Sequence, residues 1–115
     1  MPPTLADRVQ HILEAIEDCE RILAQKDRST FAGDRLIRLA VERALEVISE
    51  ASRHIPNEIK QREATIAWQR VADLGNRLRH TYHRVDPDIL WDIVRNDLPP
   101  LKLFVNRIIR DEQAK

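Results

Sequence analysis

An all-α bundle is the fold this sequence predicts, and three observations carry the prediction. The 115 residues include only two glycines, aromatic side chains make up 4% of the chain, and 33% of the residues are charged. Strands favour alternating β-branched and aromatic residues bounded by turn signals, which are scarce here. Apolar residues recur instead at intervals of three and four, the spacing of one helical face. A hydrophobic content of 43% suffices for one core, so residues 1–115 are expected to form a single domain that folds alone or as a dimer.

Thr4, with Asp7 three residues on, forms a start signal for the first helix. Leu5, Val9, Ile12, Ile16, Cys19 and Leu23 then keep one face to about Lys26. The polar stretch "KDRSTFAGD" connects to a second helix, in which Ile37, Val41, Ala44, Ile48, Ala51 and Ile55 share a stripe until Pro56 stops it. Leu36, Ala40, Leu45 and Val47 widen that stripe, which predicts a central helix or one that also faces a second subunit. "PNEIKQREAT" reads as a connector with room for one helical turn.

A third helix is expected from near Thr65, with Trp68, Val71, Gly75, Leu78 and Tyr82 on its apolar side. Asp86-Pro87 is a cap followed by proline at the first helical position, opening a fourth helix with Ile89, Leu90, Ile93 and Val94 inward and an end near Asn96. Pro99 and Pro100 fit the first turn of a fifth, which carries Leu101, Phe104, Val105, Ile108 and Ile109. The expected architecture is an up-and-down bundle of four long helices and one shorter one.

Nineteen basic and nineteen acidic side chains cancel, so the overall field gives no reason for nucleic-acid or membrane binding. The longest runs free of Asp, Glu, Lys and Arg are 1–6 and 64–69, far short of the ~20 apolar residues of a spanning helix. The opening "MPPTLADRVQ" lacks a basic region followed by an apolar core, so a cytoplasmic protein is expected. Cys19 is the sole cysteine; it reads as a small core residue.

The neutral total hides a dipolar pattern. Arg70 to Arg84 carries four Arg against one Asp, whereas Asp86 to Asp97 carries four Asp against one Arg. On a helix, Asp73, Asn76, His80 and His83 fall on one polar face, since offsets of three and four keep side chains together. A solvated surface explains such a face. So could a metal held by His80 and His83 with Asp73 or Asp86, although a functional site needs three or four ligands and supporting partners. His11 and His54 stand apart from this cluster and read as surface residues. Phosphate loops, glycine fingerprints and Ser or Cys nucleophile motifs are absent.

The blocks "RLAVERALEVISEASRHIP", "LGNRLRHTYHRVD" after Trp68, and "NDLPPL" together resemble the HepT-like family of HEPN-domain proteins, from about Leu5 to Ile109. That resemblance implies a five-helix, homodimeric α-bundle and the toxin of a toxin–antitoxin module. It also implies a metal-independent endoribonuclease with no cofactor, whose RNA substrate lies in a dimer groove. Its partner would be a minimal nucleotidyltransferase antitoxin of the MntA type. The family signature is an Arg, a polar residue, three or more others, then His-x-Tyr. Asn76 matches the polar residue and His80-Thr81-Tyr82 the His-x-Tyr, but Gly75 stands where the arginine belongs.

By this resemblance His80, Asn76 and Arg77 are the catalytic candidates. Arg79, His83 and Arg84 are the RNA-binding ones, and Tyr82 is a site for AMP attachment by the partner. An imidazole that titrates near neutrality can take the RNA 2′-hydroxyl proton as it attacks the adjacent phosphorus, while a guanidinium steadies the phosphoryl oxygens. Arg77 and Arg79 both qualify as substitutes for the missing arginine, and Arg77 lies nearer His80 around a regular helix. Tyr82 falls on the apolar side of a continuous helix, so either the helix bends near Thr81 or Tyr82 belongs to the core. Two further readings remain: a HEPN dimer that lost catalysis with its arginine and serves as the transferase's binding partner, and an unrelated helical adaptor.

Overall fold

The computed structural model describes residues 2–80 and 85–115, and all regular structure within them is helical. Helix α1 spans Leu5–Leu23 and opens with the expected reciprocal cap: Asp7 N–H donates to Thr4 Oγ1 at 3.1 Å, and Thr4 N–H to Asp7 Oδ2 at 2.9 Å. These bonds hold the Asp7 carboxyl below its ordinary pKa. Gln25, at φ 62°, turns the chain out of α1 in the left-handed conformation.

The polar connector that follows holds a short helix of its own, α2, Arg28–Gly33. Asp27 caps it, accepting from Thr30 N–H at 2.8 Å. Phe31, fully buried, anchors it with its ring 5.8 Å from that of Trp91. Asp34 then caps α3, Arg35–Arg53, by accepting from the N–H groups of Leu36 and Ile37.

Helix α3 is central, as its broad apolar surface predicts. It packs against α1 on one side and α5, Trp68–His80, on the other, and α1 also packs on α7, Leu98–Gln113. Val9, Ile12, Ile16, Val41, Leu45, Ile48, Leu101 and Val105 form the interior of this arrangement. The excess apolar surface of α3 stays open: Leu36 is 76% exposed and Leu39 44%. The connector after Pro56 contributes the single turn α4, Asn57–Lys60.

Two boundaries differ from expectation. Helix α5 starts at Trp68 instead of Thr65, because the Thr65 hydroxyl donates to Glu63 Oε1 at 2.7 Å and does not cap. Glu63 in turn pairs with Arg107 of α7 at 2.6 Å, pinning the approach to α5. The expected fourth and fifth helices are one run: α6, Pro87–Asp92, passes through a π turn, Ile93–Asp97, directly into α7. Pro99 and Pro100 have no N–H to give to the carbonyls four residues back. The wider turn absorbs the mismatch, with Leu98 N–H reaching back to Ile93 O. The prolines do occupy the first turn of α7, but they loosen a continuous helix where a break was expected.

That junction half-buries a carboxylate. The Asp97 side chain is 16% exposed, its Oδ2 is 3.2 Å from Arg70 Nε without hydrogen-bond geometry, and burial pushes its pKa up against the opposing pull of Arg70. A carboxyl whose pKa rises on folding favours the folded state when protonated, and that contribution is lost as pH climbs through the folded pKa. We expect Asp97→Asn to keep full stability at pH 7. Its advantage over the wild type should grow with pH across the acid range in thermal melts. A loss of ~3–5 kcal/mol, the usual cost of breaking a needed buried pair, would show that Arg70 outweighs burial.

Cys19 lies in the core at 0% exposure, and burial, reinforced by the Asp18 and Glu20 charges, pushes its thiol up to about 12. Each pKa unit removes about tenfold of the reactive thiolate. A thiol reagent should therefore label native protein on the order of a thousandfold more slowly than protein in denaturant. Equal rates would mean that α1 opens readily. Among the described residues no helix is long and apolar enough to cross a membrane.

Candidate functional site

Helix α5 divides its residues cleanly. Val71, Leu74 and Gly75 are buried, while Gln69, Asp73, Asn76, Arg77, Arg79 and His80 are exposed. Offsets of three and four place Asp73, Asn76 and His80 along the solvent side, as the spacing predicts. Gln69 Nε2 donates to Asp73 Oδ1 at 2.8 Å, so that carboxylate is engaged within its own helix.

Gly75 is where α5 meets α3. A Cβ at this position would lie 1.9 Å from Ser49 Oγ and 2.5 Å from Ser49 Cβ. Ser49 is fully buried and Ser52 nearly so, and neither hydroxyl has a hydrogen-bond partner among the described residues. A small serine facing a glycine lets the helices approach closely, at the cost of a buried hydroxyl without a partner. Gly75 is thus a packing residue, on the side its spacing predicts.

Next to this contact lies a polar network absent from the local sequence pattern. Arg79 Nη2 donates to Asn76 Oδ1 at 2.6 Å, and its Nη1 faces Glu50 Oε2 of α3 at 3.5 Å. Glu50 also lies 3.3 Å from His54 Nε2 and 4.0 Å from Arg53. Arg79 lines a groove with Arg8 and His11 of α1 and Arg43 of α3. His11 and His54, exposed as expected, therefore border the same region.

The candidate residues are not all brought together. Arg77 lies on the other side of α5, lining a separate groove toward α6 with Arg70, Asp73 and Ile89. His80 is exposed, and its imidazole makes no hydrogen bond with the described residues. Tyr82, His83 and Arg84 lie outside the described residues, as does the question of whether the helix bends at Thr81. Glu50 and Ser49 were missed by sequence reasoning. Ser49 has a signal in hindsight, a small polar residue within an apolar stripe; Glu50 has none, because its partner Arg79 is 29 residues away. No group of three or more His, Cys, Asp or Glu among the described residues is placed to hold a metal ion.

Comparison with known proteins places this arrangement. The family described as "Ribonuclease HepT-like" matches residues 12–108. The chain belongs to the HepT-like ribonuclease family. "Probable ribonuclease HepT" of Thermococcus cleftensis is 40% identical over 96 residues, which cover 84% of this chain and 87% of that protein. "Putative RNase MJ1380" of Methanocaldococcus jannaschii is 38% identical over 91 residues, covering 79% and 84%. A further relative, "Putative RNase TTE0752" of Caldanaerobacter subterraneus, is 27% identical over 105 residues, covering 91% and 94%. No solved structure matches the chain. Within this HepT-like fold, Asn76 and His80 occupy the exposed side of α5, and Gly75 is turned inward against Ser49.

Proposed function

We propose that this HepT-like protein is a metal-independent endoribonuclease, the toxin of a toxin–antitoxin module restrained by a nucleotidyltransferase antitoxin. His80 removes the proton from an RNA 2′-hydroxyl, the oxygen attacks the adjacent phosphorus, and the 5′-oxygen of the next nucleotide leaves. The products are a 2′,3′-cyclic phosphate and a free 5′-hydroxyl. One observation carries the reading: His80 stands exposed on α5, one turn beyond an Asn76 carboxamide that a guanidinium already holds in place. Asn76 orients the base or contacts a phosphate oxygen. Support for a homodimer comes from the open leucines of α3. AMP attached to Tyr82 would add negative charge beside the arginines and repel RNA.

Gly75 favours a second reading. With no arginine at this position, a non-catalytic dimer serving as the transferase's binding partner is the natural alternative. Incubating purified protein with a mixed RNA pool in EDTA separates the two. Cleavage that leaves cyclic phosphate ends supports the ribonuclease. Intact RNA in the presence of folded protein overturns it and leaves the binding module.

A further inference from the structure

Ser49 of α3 fills the space beside Gly75, and a side chain of α5 itself flanks the same point. Arg79, one turn on, leans back toward the N-terminus as helical side chains do. Its Nη1 lies 3.5 Å from the point where a Cβ on residue 75 would sit. The guanidinium is fixed at two points, by Asn76 Oδ1 at 2.6 Å and Glu50 Oε2 at 3.5 Å. A guanidinium has five N–H donors in a planar fork, so donors remain for a phosphate.

The two candidate arginines face different surroundings. By angle around the helix Arg77 is closer to His80, about 60° against 100°. Head groups decide the matter, however, and those of the two residues diverge. Arg79 reaches the groove of about 390 Å³ between α1 and α3, where it joins Arg8 and Arg43 opposite Glu46 and Glu50. Arg77 lines the groove on the α6 side with Arg70 and Asp73, so charge does not separate the two grooves; what sets Arg79 apart is that Asn76 and Glu50 hold its guanidinium. Asn76, meanwhile, links Arg79 to the turn that presents His80.

We infer that Arg79 supplies the guanidinium that binds the RNA phosphate beside His80, and that RNA crosses α5 on its α1–α3 side with Arg8 and Arg43 next along the strand. Attack at phosphorus places charge on the non-bridging oxygens, and a fork-shaped cation already held in place stabilises that charge with little reorganisation. This inference rests on the ribonuclease reading for its chemistry at His80, but the binding of the phosphate is separately measurable.

A 2′-O-methyl oligoribonucleotide, which has no attacking hydroxyl, is the binding probe; an unmodified strand of the same sequence reports cleavage. Arg79→Ala should weaken binding of the probe about tenfold and lower the slope of log affinity against log salt by about one. It should also slow cleavage roughly 10²–10³-fold. Arg77→Ala should change each by less than about threefold, Arg8→Ala should weaken binding, and Arg79→Lys should recover binding more than rate. If the wild type binds the probe but cuts nothing, the ribonuclease reading fails while the ratio between the arginine variants still decides the inference. It is overturned if Arg77→Ala loses more than Arg79→Ala, if the wild type binds no probe, or if Arg79→Ala changes only the oligomeric state.

Discussion

His80→Ala is expected to lower RNA cleavage by roughly 10²–10⁴-fold, the usual contribution of a positioned general base, while leaving the melting temperature nearly unchanged. Both halves follow from where His80 sits. It is exposed on α5 and its imidazole shares no hydrogen bond with the described residues, so its loss strands no buried partner among them. Removing the imidazole leaves the 2′-hydroxyl to ionise on its own, however well the phosphate is held. The measurement is single-turnover cleavage in EDTA beside a thermal melt of the same preparation. A variant that cuts at the wild-type rate would remove His80 from the chemistry; one that melts many degrees lower would show that the histidine supports the fold and would void the kinetic comparison. Asn76→Ala separates from it in kind. That change frees Arg79 of its shorter contact, so it should impair binding as well as rate.

The helices themselves were legible wherever one periodic stripe met one cap. Thr4 with Asp7 and Asp86-Pro87 each place a start within a residue, because capping is a local exchange of hydrogen bonds and needs no tertiary partner. The same local reasoning failed where a distant residue competed. Thr65 looks like a cap, but Glu63, itself drawn to Arg107 on α7, takes its hydroxyl. Pro99-Pro100 looks like a break, but a break was not the only way to spare two missing donors; a π turn does so within a continuous helix. At the site, spacing brought Asp73, Asn76 and His80 to one face, since that depends on helical period alone. By the same period it favoured Arg77 over Arg79 as the guanidinium beside His80. Their difference lies in Glu50, which reaches Arg79 alone, and that is a property of how α3 packs on α5.

Placing an arginine at position 75, where the resemblance expects one, should harm this protein instead of sharpening it. Even the smallest step, Gly75→Ala, places a Cβ 2.5 Å from Ser49 Cβ, closer than packed carbons approach. Rotating Ser49 moves its hydroxyl but not its Cβ, so α3 and α5 must part. Overpacking of this kind costs typically ~1–3 kcal/mol, a large share of the ~5–15 kcal/mol that holds a domain together. Each kcal/mol should lower the melting temperature by about 4–8 °C in a chain near this size. Gly75→Arg should cost more, because its side chain must also displace the Arg79 guanidinium that lies 3.5 Å from the new Cβ. Ser49→Gly supplies the control. Alone it should cost ~0.5–1 kcal/mol as a glycine inside a helix, but in the Gly75→Ala background it removes the clashing Cβ and should recover stability. The two changes should therefore show a favourable coupling in a double-mutant cycle. Strict additivity, or a Gly75→Arg protein that melts like the wild type and cuts RNA faster, would mean that the helices move apart freely and that position 75 remains open to the arginine. Coupling would instead tie the missing arginine to the packing of α3, and leave Arg79 as the guanidinium that this arrangement allows.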